Sequence, residues 1–175
     1  MLALERVGLE HYGGKRDAMV VHSLSGILTP LDIDDLANAF RGIARKIRAQ
    51  HGDFILGLDG PGMVPAIALG ILLRLKVIFA TKANLARSPK IHFTEPASPR
   101  PDIYVYGLRR GMSVIVVDDG VDTGETLASC IEALTREGVA IRAVVTTLEA
   151  KKKGARERLR DWCELISLHA HDLEV

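Results

Sequence analysis

Apolar positions in this chain fall into short unbroken runs that alternate with stretches of helical period, the rhythm of an α/β protein. Val114 to Val117 is a run of four apolar residues, suited to a short strand buried on both faces. Past Gly124 the period changes, and Leu127, Ile131 and Leu134 fall on one helical face. The same order occurs upstream. Phe54 to Leu58 reads as a buried strand, Asp59-Gly60-Pro61-Gly62 as a turn, and the residues from about Met63 to Leu73 as a helix. Before it, Leu31, Leu36, Phe40, Ile43, Ala44 and Ile47 mark a helix face. Thr29-Pro30 opens that helix, and Arg41, Arg45, Lys46 and Arg48 crowd its end, where cations suit the dipole. Val77 to Thr81, Ile103 to Tyr106, Ile141 to Leu148 and Glu164 to His169 read as further strands, and Gly154 to Asp161 as a short helix. Ala18 to Leu28 reads as a strand, or as a hairpin bent at Ser25-Gly26. Ala83 to Asp102 has no apolar period and holds Pro89, Pro96, Pro99 and Pro101. A long structureless insert in a compact domain is commonly a functional lid.

Length and composition narrow the class. A chain of 175 residues with 47% hydrophobic content is expected to form one domain with a substantial core. The net charge of +1 gives no electrostatic case for nucleic acid as main partner, and no aromatics interleave Arg41, Arg45, Lys46 and Arg48. The most apolar run stops at Arg74, too short for a bilayer, and Glu5 and Glu10 stand where a secretory signal needs an apolar core. A cytoplasmic protein with no membrane partner is expected. Cys130 and Cys163 lack metal-ligand spacing and read as buried or incidental thiols. Asn38, Asn84 and Gln50 are the only side-chain amides, a depletion that suits a hot-living source.

The chemistry is concentrated after the Val114 strand. Asp118 and Asp119 stand where that strand is expected to end, followed by Gly120, Val121, Asp122, Thr123, Gly124, Glu125 and Thr126. A helix start aims free N–H groups at this loop, which suits a phosphate, and the threonines add hydroxyl donors. Asp118 and Asp119 are acceptors only, so they suit sugar hydroxyls or a hydrated Mg²⁺. A phosphate at one end and a diol at the other describe a phosphorylated ribose. The Gly60 turn is a second natural anion site without the Walker A or dinucleotide spacing. His169 and His171 lie two apart, so on a strand they share a face, without a third metal ligand nearby.

An apolar strand, two acids and a Thr-Gly-x-Thr loop together resemble the 5-phosphoribosyl-1-pyrophosphate (PRPP) signature of the type I phosphoribosyltransferases. The resemblance runs from about Val20 to His169, and Ile103 to Asp119 is closest to archaeal purine phosphoribosyltransferase-like proteins. It implies a Rossmann-like parallel sheet flanked by helices. A small hood would come from about residues 1–28 and the chain ends, and a mobile catalytic loop from about 83–101. It implies a homodimer and transfer of phosphoribosyl from PRPP to a nucleobase, with Mg²⁺ as cofactor. Asp118 and Asp119 would hold the ribose diol or the waters of the metal, and Gly120 to Thr126 would wrap the sugar phosphate, Glu125 by its backbone alone. Gly60, Pro61, Gly62 and Lys82 would meet the pyrophosphate, with a strained or cis peptide expected at Asp59-Gly60 or Gly60-Pro61. Arg87, Lys90 and His92 would neutralise it on loop closure, Lys90 and His92 as catalytic residues. Asp122 would serve the purine N7 proton, because members acting on 6-oxopurines tend to carry Asp there. Two alternatives stay open: an orotate enzyme, to which Lys90-x-His92 is similar, and a PRPP-sensing regulator without catalysis.

Overall fold

The computed structural model describes residues 2–8 and 18–172. The parts of the expected hood at residues 1, 9–17 and 173–175 lie outside the described residues. Among the described residues nine strands and four α-helices follow one another as β1 (Leu4–Gly8), β2 (Ala18–His22), α1 (Ile33–Ile47), β3 (Phe54–Gly57), α2 (Met63–Leu73) and β4 (Lys76–Phe79). They continue as β5 (Lys90–Thr94), β6 (Asp102–Tyr106), β7 (Ser113–Val121), α3 (Glu125–Arg136), β8 (Ala140–Ala150), α4 (Ala155–Leu159) and β9 (Leu165–His171).

Five strands form a parallel sheet in the order β4-β3-β7-β8-β9. Alternation along each strand feeds two cores. Val114, Val116, Leu56, Val144 and Leu165 pack on the side of α3 and α4. Ile115, Val117, Ile55, Ala143, Val145 and Ile166 pack toward α1 and α2. This two-sided burial is why the strands read as unbroken apolar runs. The chain reverses direction of growth between β3 and β7. In such a sheet the crevice outside the carboxyl ends at that switch point is where ligands bind.

Several expectations are corrected. Helix α1 opens at Ile33 and not at Thr29-Pro30, because the Asp32 side chain accepts the N–H groups of Asp34 (2.8 Å) and Asp35 (3.1 Å). Strand β2 pairs with β1, a strand the pattern did not show, in place of folding back at Ser25-Gly26. Residues 83–102 are not structureless. Lys90–Thr94 forms β5 and pairs antiparallel with β6. Ile91 and Phe93 are buried while Lys90 and His92 face outward, a two-residue period over only five residues. Strand β7 does not end at Asp118 but runs to Val121, held by pairing of Gly120 with Leu148 and Val121 with Glu149. The peptides flanking Gly60 are trans, and the one cis bond among the described residues falls at Ser88-Pro89. Gly60 does adopt φ +78°. Cys130 is buried, and burial pushes the Cys163 thiol up to about 11. No helix of the described residues is long and apolar enough to cross a membrane.

Candidate functional site

A cavity of about 310 Å³ opens at the switch point, walled by Leu58 to Pro61 after β3, Lys82 after β4, and the run from Asp118 to Leu127. Each wall follows from local sequence. Strand β3 ends in a 3-10 turn over Gly60–Gly62 that runs straight into α2. Gly62 is needed there by closeness, since a Cβ would lie 2.9 Å from Asp118 Oδ1 and 3.2 Å from its Cα. Strand β7 hands over to α3 through only Asp122, Thr123 and Gly124. Gly124 sits at φ +76° as the N-cap of α3, a left-handed conformation that side chains resist.

Asp118 and Asp119 therefore project from the last paired part of the strand. The Asp119 N–H donates to Asp118 Oδ1 at 2.8 Å. Burial, reinforced by the neighbouring Asp119 charge, holds the Asp118 carboxyl well above the usual carboxylate range. Lys82 Nζ meets Glu95 Oε2 and Ser98 Oγ, each at 2.8 Å. Among the described residues lining the cavity, Asp59, Glu95, Asp118, Asp119, Asp122 and Glu125 are carboxylates and Lys82 is the one lysine or arginine. Such a wall repels a polyphosphate unless the ligand brings its own cations. Two adjacent carboxylates facing a cavity match how Mg²⁺ is held, through few protein oxygens with water and substrate completing its shell. No group of three or more metal-ligating side chains exists among the described residues.

The predicted residues divide. Gly60, Pro61, Lys82 and Asp118 to Thr126 share the cavity, and Gly62 packs behind it. Arg87, Lys90 and His92 do not line it. Lys90 Nζ donates to Asn84 Oδ1 at 2.6 Å, and His92 Nε2 pairs with Asp102 Oδ1 at 2.7 Å, both exposed on the hairpin. A smaller hollow of about 80 Å³ adjoins the site through Asp119 to Asp122 and is completed by Met19, Val20, Leu148 and His171. His171 is buried with Nδ1 lacking a hydrogen-bond partner, and burial lowers its pKa against the opposing pull of Asp122. His22, buried with both ring nitrogens lacking a partner, is likewise lowered by burial against the pull of Asp119. His169 faces a different hollow, with Ser23 and Asp35. Sequence reasoning did not single out Asp59, Glu95 or Met19 for the site. Asp59 was legible as the first residue of the turn after the Phe54–Leu58 run, whereas Glu95 and Met19 arrive from distant strand pairs with no local signal.

Comparison with known proteins completes the picture. Residues 31–173 match the family model described as the phosphoribosyl transferase domain. A hypoxanthine/guanine phosphoribosyltransferase of Ferroglobus placidus is 30% identical over 141 residues, covering 80% of this chain and 74% of that protein. An adenine phosphoribosyltransferase of Mycolicibacterium vanbaalenii is 30% identical over 148 residues, covering 81% and 83%. The solved adenine phosphoribosyltransferase of Thermoanaerobacter pseudethanolicus shares the fold with a TM-score of 0.75 at 15% identity, covering 96% of this chain and 95% of that one.

Proposed function

The chain belongs to the phosphoribosyl transferase domain family, and from that premise we propose that it is a purine salvage enzyme of the cytoplasm. It transfers phosphoribosyl from PRPP to a purine nitrogen, giving a nucleoside 5′-monophosphate and pyrophosphate. One observation carries this reading: the switch-point cavity sets the Asp118-Asp119 pair on one wall and the amide-rich start of α3 on another. The purine assignment is supported by the relatives, named for hypoxanthine/guanine and adenine.

In this reading the amides and hydroxyls from Thr123 to Thr126 hold the 5′-phosphate. Asp119 and Asp118 hold the ribose hydroxyls or the waters of Mg²⁺. Gly60, Pro61 and Lys82 face the pyrophosphate, Gly62 lets that turn approach β7, and the base enters the hollow beside Asp122. The C1′–O bond to pyrophosphate breaks as the C1′–N bond forms, and the base's displaced proton passes to Asp122. Mg²⁺ held through water by Asp118 and Asp119 would supply positive charge against the leaving pyrophosphate. The ribose becomes cationic in between, so a carboxylate-rich wall stabilises the transition state more than the ground state.

Arg87, Lys90 and His92 enter the reading through assembly, with the hairpin of a second copy bringing them over the cavity. The whole chain 1–175 acts as one domain, with β1 and β2 as part of the hood. Homodimerisation is assigned to α2, eleven residues without a charged side chain whose outer face exposes Ile67 and Ile71. Sedimentation equilibrium is expected to show a dimer for the wild type and a monomer for Ile71→Glu. A wild-type monomer at micromolar concentration would remove that assignment.

The transferase reading is tested by incubation with PRPP, Mg²⁺ and, in turn, hypoxanthine, guanine, xanthine, adenine and orotate, scoring pyrophosphate. Release that requires a purine is expected. Release with orotate alone overturns the purine assignment. PRPP binding without release on any base makes the protein a sensor in place of an enzyme.

A further inference from the structure

Arg158 lies on α4, away from every motif that marks the site. Its Nε donates to the Thr123 carbonyl oxygen at 2.8 Å, and its guanidinium stands 3.7 Å from Glu125 Oε1. We infer that Arg158 is the positioning residue of the phosphate loop, holding the Thr123–Gly124 peptide so that the Gly124 N–H faces the cavity. The inference rests on the reading of residues 123–126 as the phosphate site.

The argument is geometric. In a trans peptide the C=O and N–H point in opposite directions. A donor that captures the Thr123 carbonyl from outside therefore aims the next amide inward, toward the cavity that Gly124 lines. Local sequence does not choose this orientation. With glycine on its far side the peptide can rotate between two turn forms at small steric cost. An external donor is what selects one of them. Glu125 adds to the arrangement: its carboxylate pairs with Arg158, and its backbone N–H donates to Thr123 Oγ1 within the loop.

The brace is itself fixed. Ala155 and Leu159 are buried, anchoring the short helix α4. Arg156 on the same helix binds the Glu149 and Ser167 side chains and donates to the Leu165 carbonyl at 2.9 Å. The helix also abuts the loop directly, since a Cβ on Gly124 would lie 3.3 Å from Ala155 Cα. Arg158 thus reaches the loop from a platform tied to β8 and β9.

Two substitutions separate peptide orientation from simple charge. Arg158→Gln carries an amide nitrogen at the same bond distance from Cα as Arg Nε, without the charge. Arg158→Met fills similar space with no donor, and the side chain is 45% exposed, so the fold tolerates both. Binding of ribose 5-phosphate is measured by calorimetry, with the Gly124 amide followed by ¹⁵N NMR. Met is expected to weaken binding about tenfold and shift the Gly124 amide, while Gln stays within about threefold of wild type. In turnover, Met raises KM for PRPP about tenfold with kcat nearly unchanged, as for lost uniform binding. Wild-type affinity in the Met variant overturns the inference. So does a Gln variant as weak as Met, which assigns the effect to charge alone. A wild type that does not bind ribose 5-phosphate at all overturns the phosphate-site reading, and this inference with it.

Discussion

Replacing Asp118 and Asp119 together with Asn is expected to leave a folded protein whose pyrophosphate release from PRPP falls about a thousandfold, the scale of losing preorganised charge at a reacting centre. The fold persists because β7 is held by backbone pairing to β3 and β8, and because Asn at 118 keeps an oxygen to accept the 119 amide that Asp118 Oδ1 now accepts. Catalysis is expected to fall because, in the proposed reading, two neutral amides would lack the negative charge that stabilises a cationic ribose and a hydrated divalent metal. A stability measurement accompanies the activity loss. Burial and the Asp119 charge raise the Asp118 pKa on folding, so over the interval above the ordinary carboxylate pKa the folded state binds more protons than the unfolded. Stability from this group is present at low pH and is lost as pH rises through the folded pKa. In metal-free buffer the wild-type thermal midpoint therefore falls over that interval more steeply than that of the double variant. Full turnover in the double variant would remove both carboxylates from the mechanism.

Asp122→Ala is expected to cost turnover of hypoxanthine and guanine about 10²–10⁴-fold, the range for a lost general acid or base, while thermal stability changes little. Asp122 follows the last strand residue Val121 and lines both the main cavity and the hollow shared with His171. In the proposed reading a base attached at C1′ would lie between the diol and phosphate sites, within reach of that position. A helix-capping role would predict the reverse pattern. The N-cap of α3 is Gly124, and the Glu125 N–H already reaches Thr123 Oγ1 at 3.4 Å. Steady-state kinetics on each base, with the thermal midpoint alongside, separates the two roles. Uniform loss on all bases with a lowered midpoint would assign Asp122 to structure.

The order of strand, acids, hydroxyl loop and helix was legible because each part is a local pattern, and the structure keeps that order from Val114 to Arg136. The end of β7 was not legible. Asp118 and Asp119 suggest a strand terminus by polarity, yet β8 extends far enough to pair through Val121. The partner strand decided the boundary. Strand β5 was missed for a related reason: between prolines, Ile91 and Phe93 are too few to show a period, and β6 supplies the pairing that makes them a strand. The α1 start was misplaced because Thr29-Pro30 and Asp32 are both good openings, and only Asp32 lies where two free N–H groups point at it.

By itself the sequence determined the alternation of buried strands and amphipathic helices, the Gly60 turn, and the acidic and hydroxyl loop that faces a helix start. These depend on residues within one or two turns of each other, where side-chain period and backbone preference act directly. Tertiary structure alone decided that β3 and β7 are neighbours, so that the two loops share one cavity. It decided that Glu95, thirteen positions along the chain, neutralises Lys82, that Arg87, Lys90 and His92 stay outside the cavity, and that Arg158 grips the Thr123 carbonyl from 35 positions away. Parallel pairing and crossover packing are contacts between distant segments, and no local spacing encodes which strand will lie beside which.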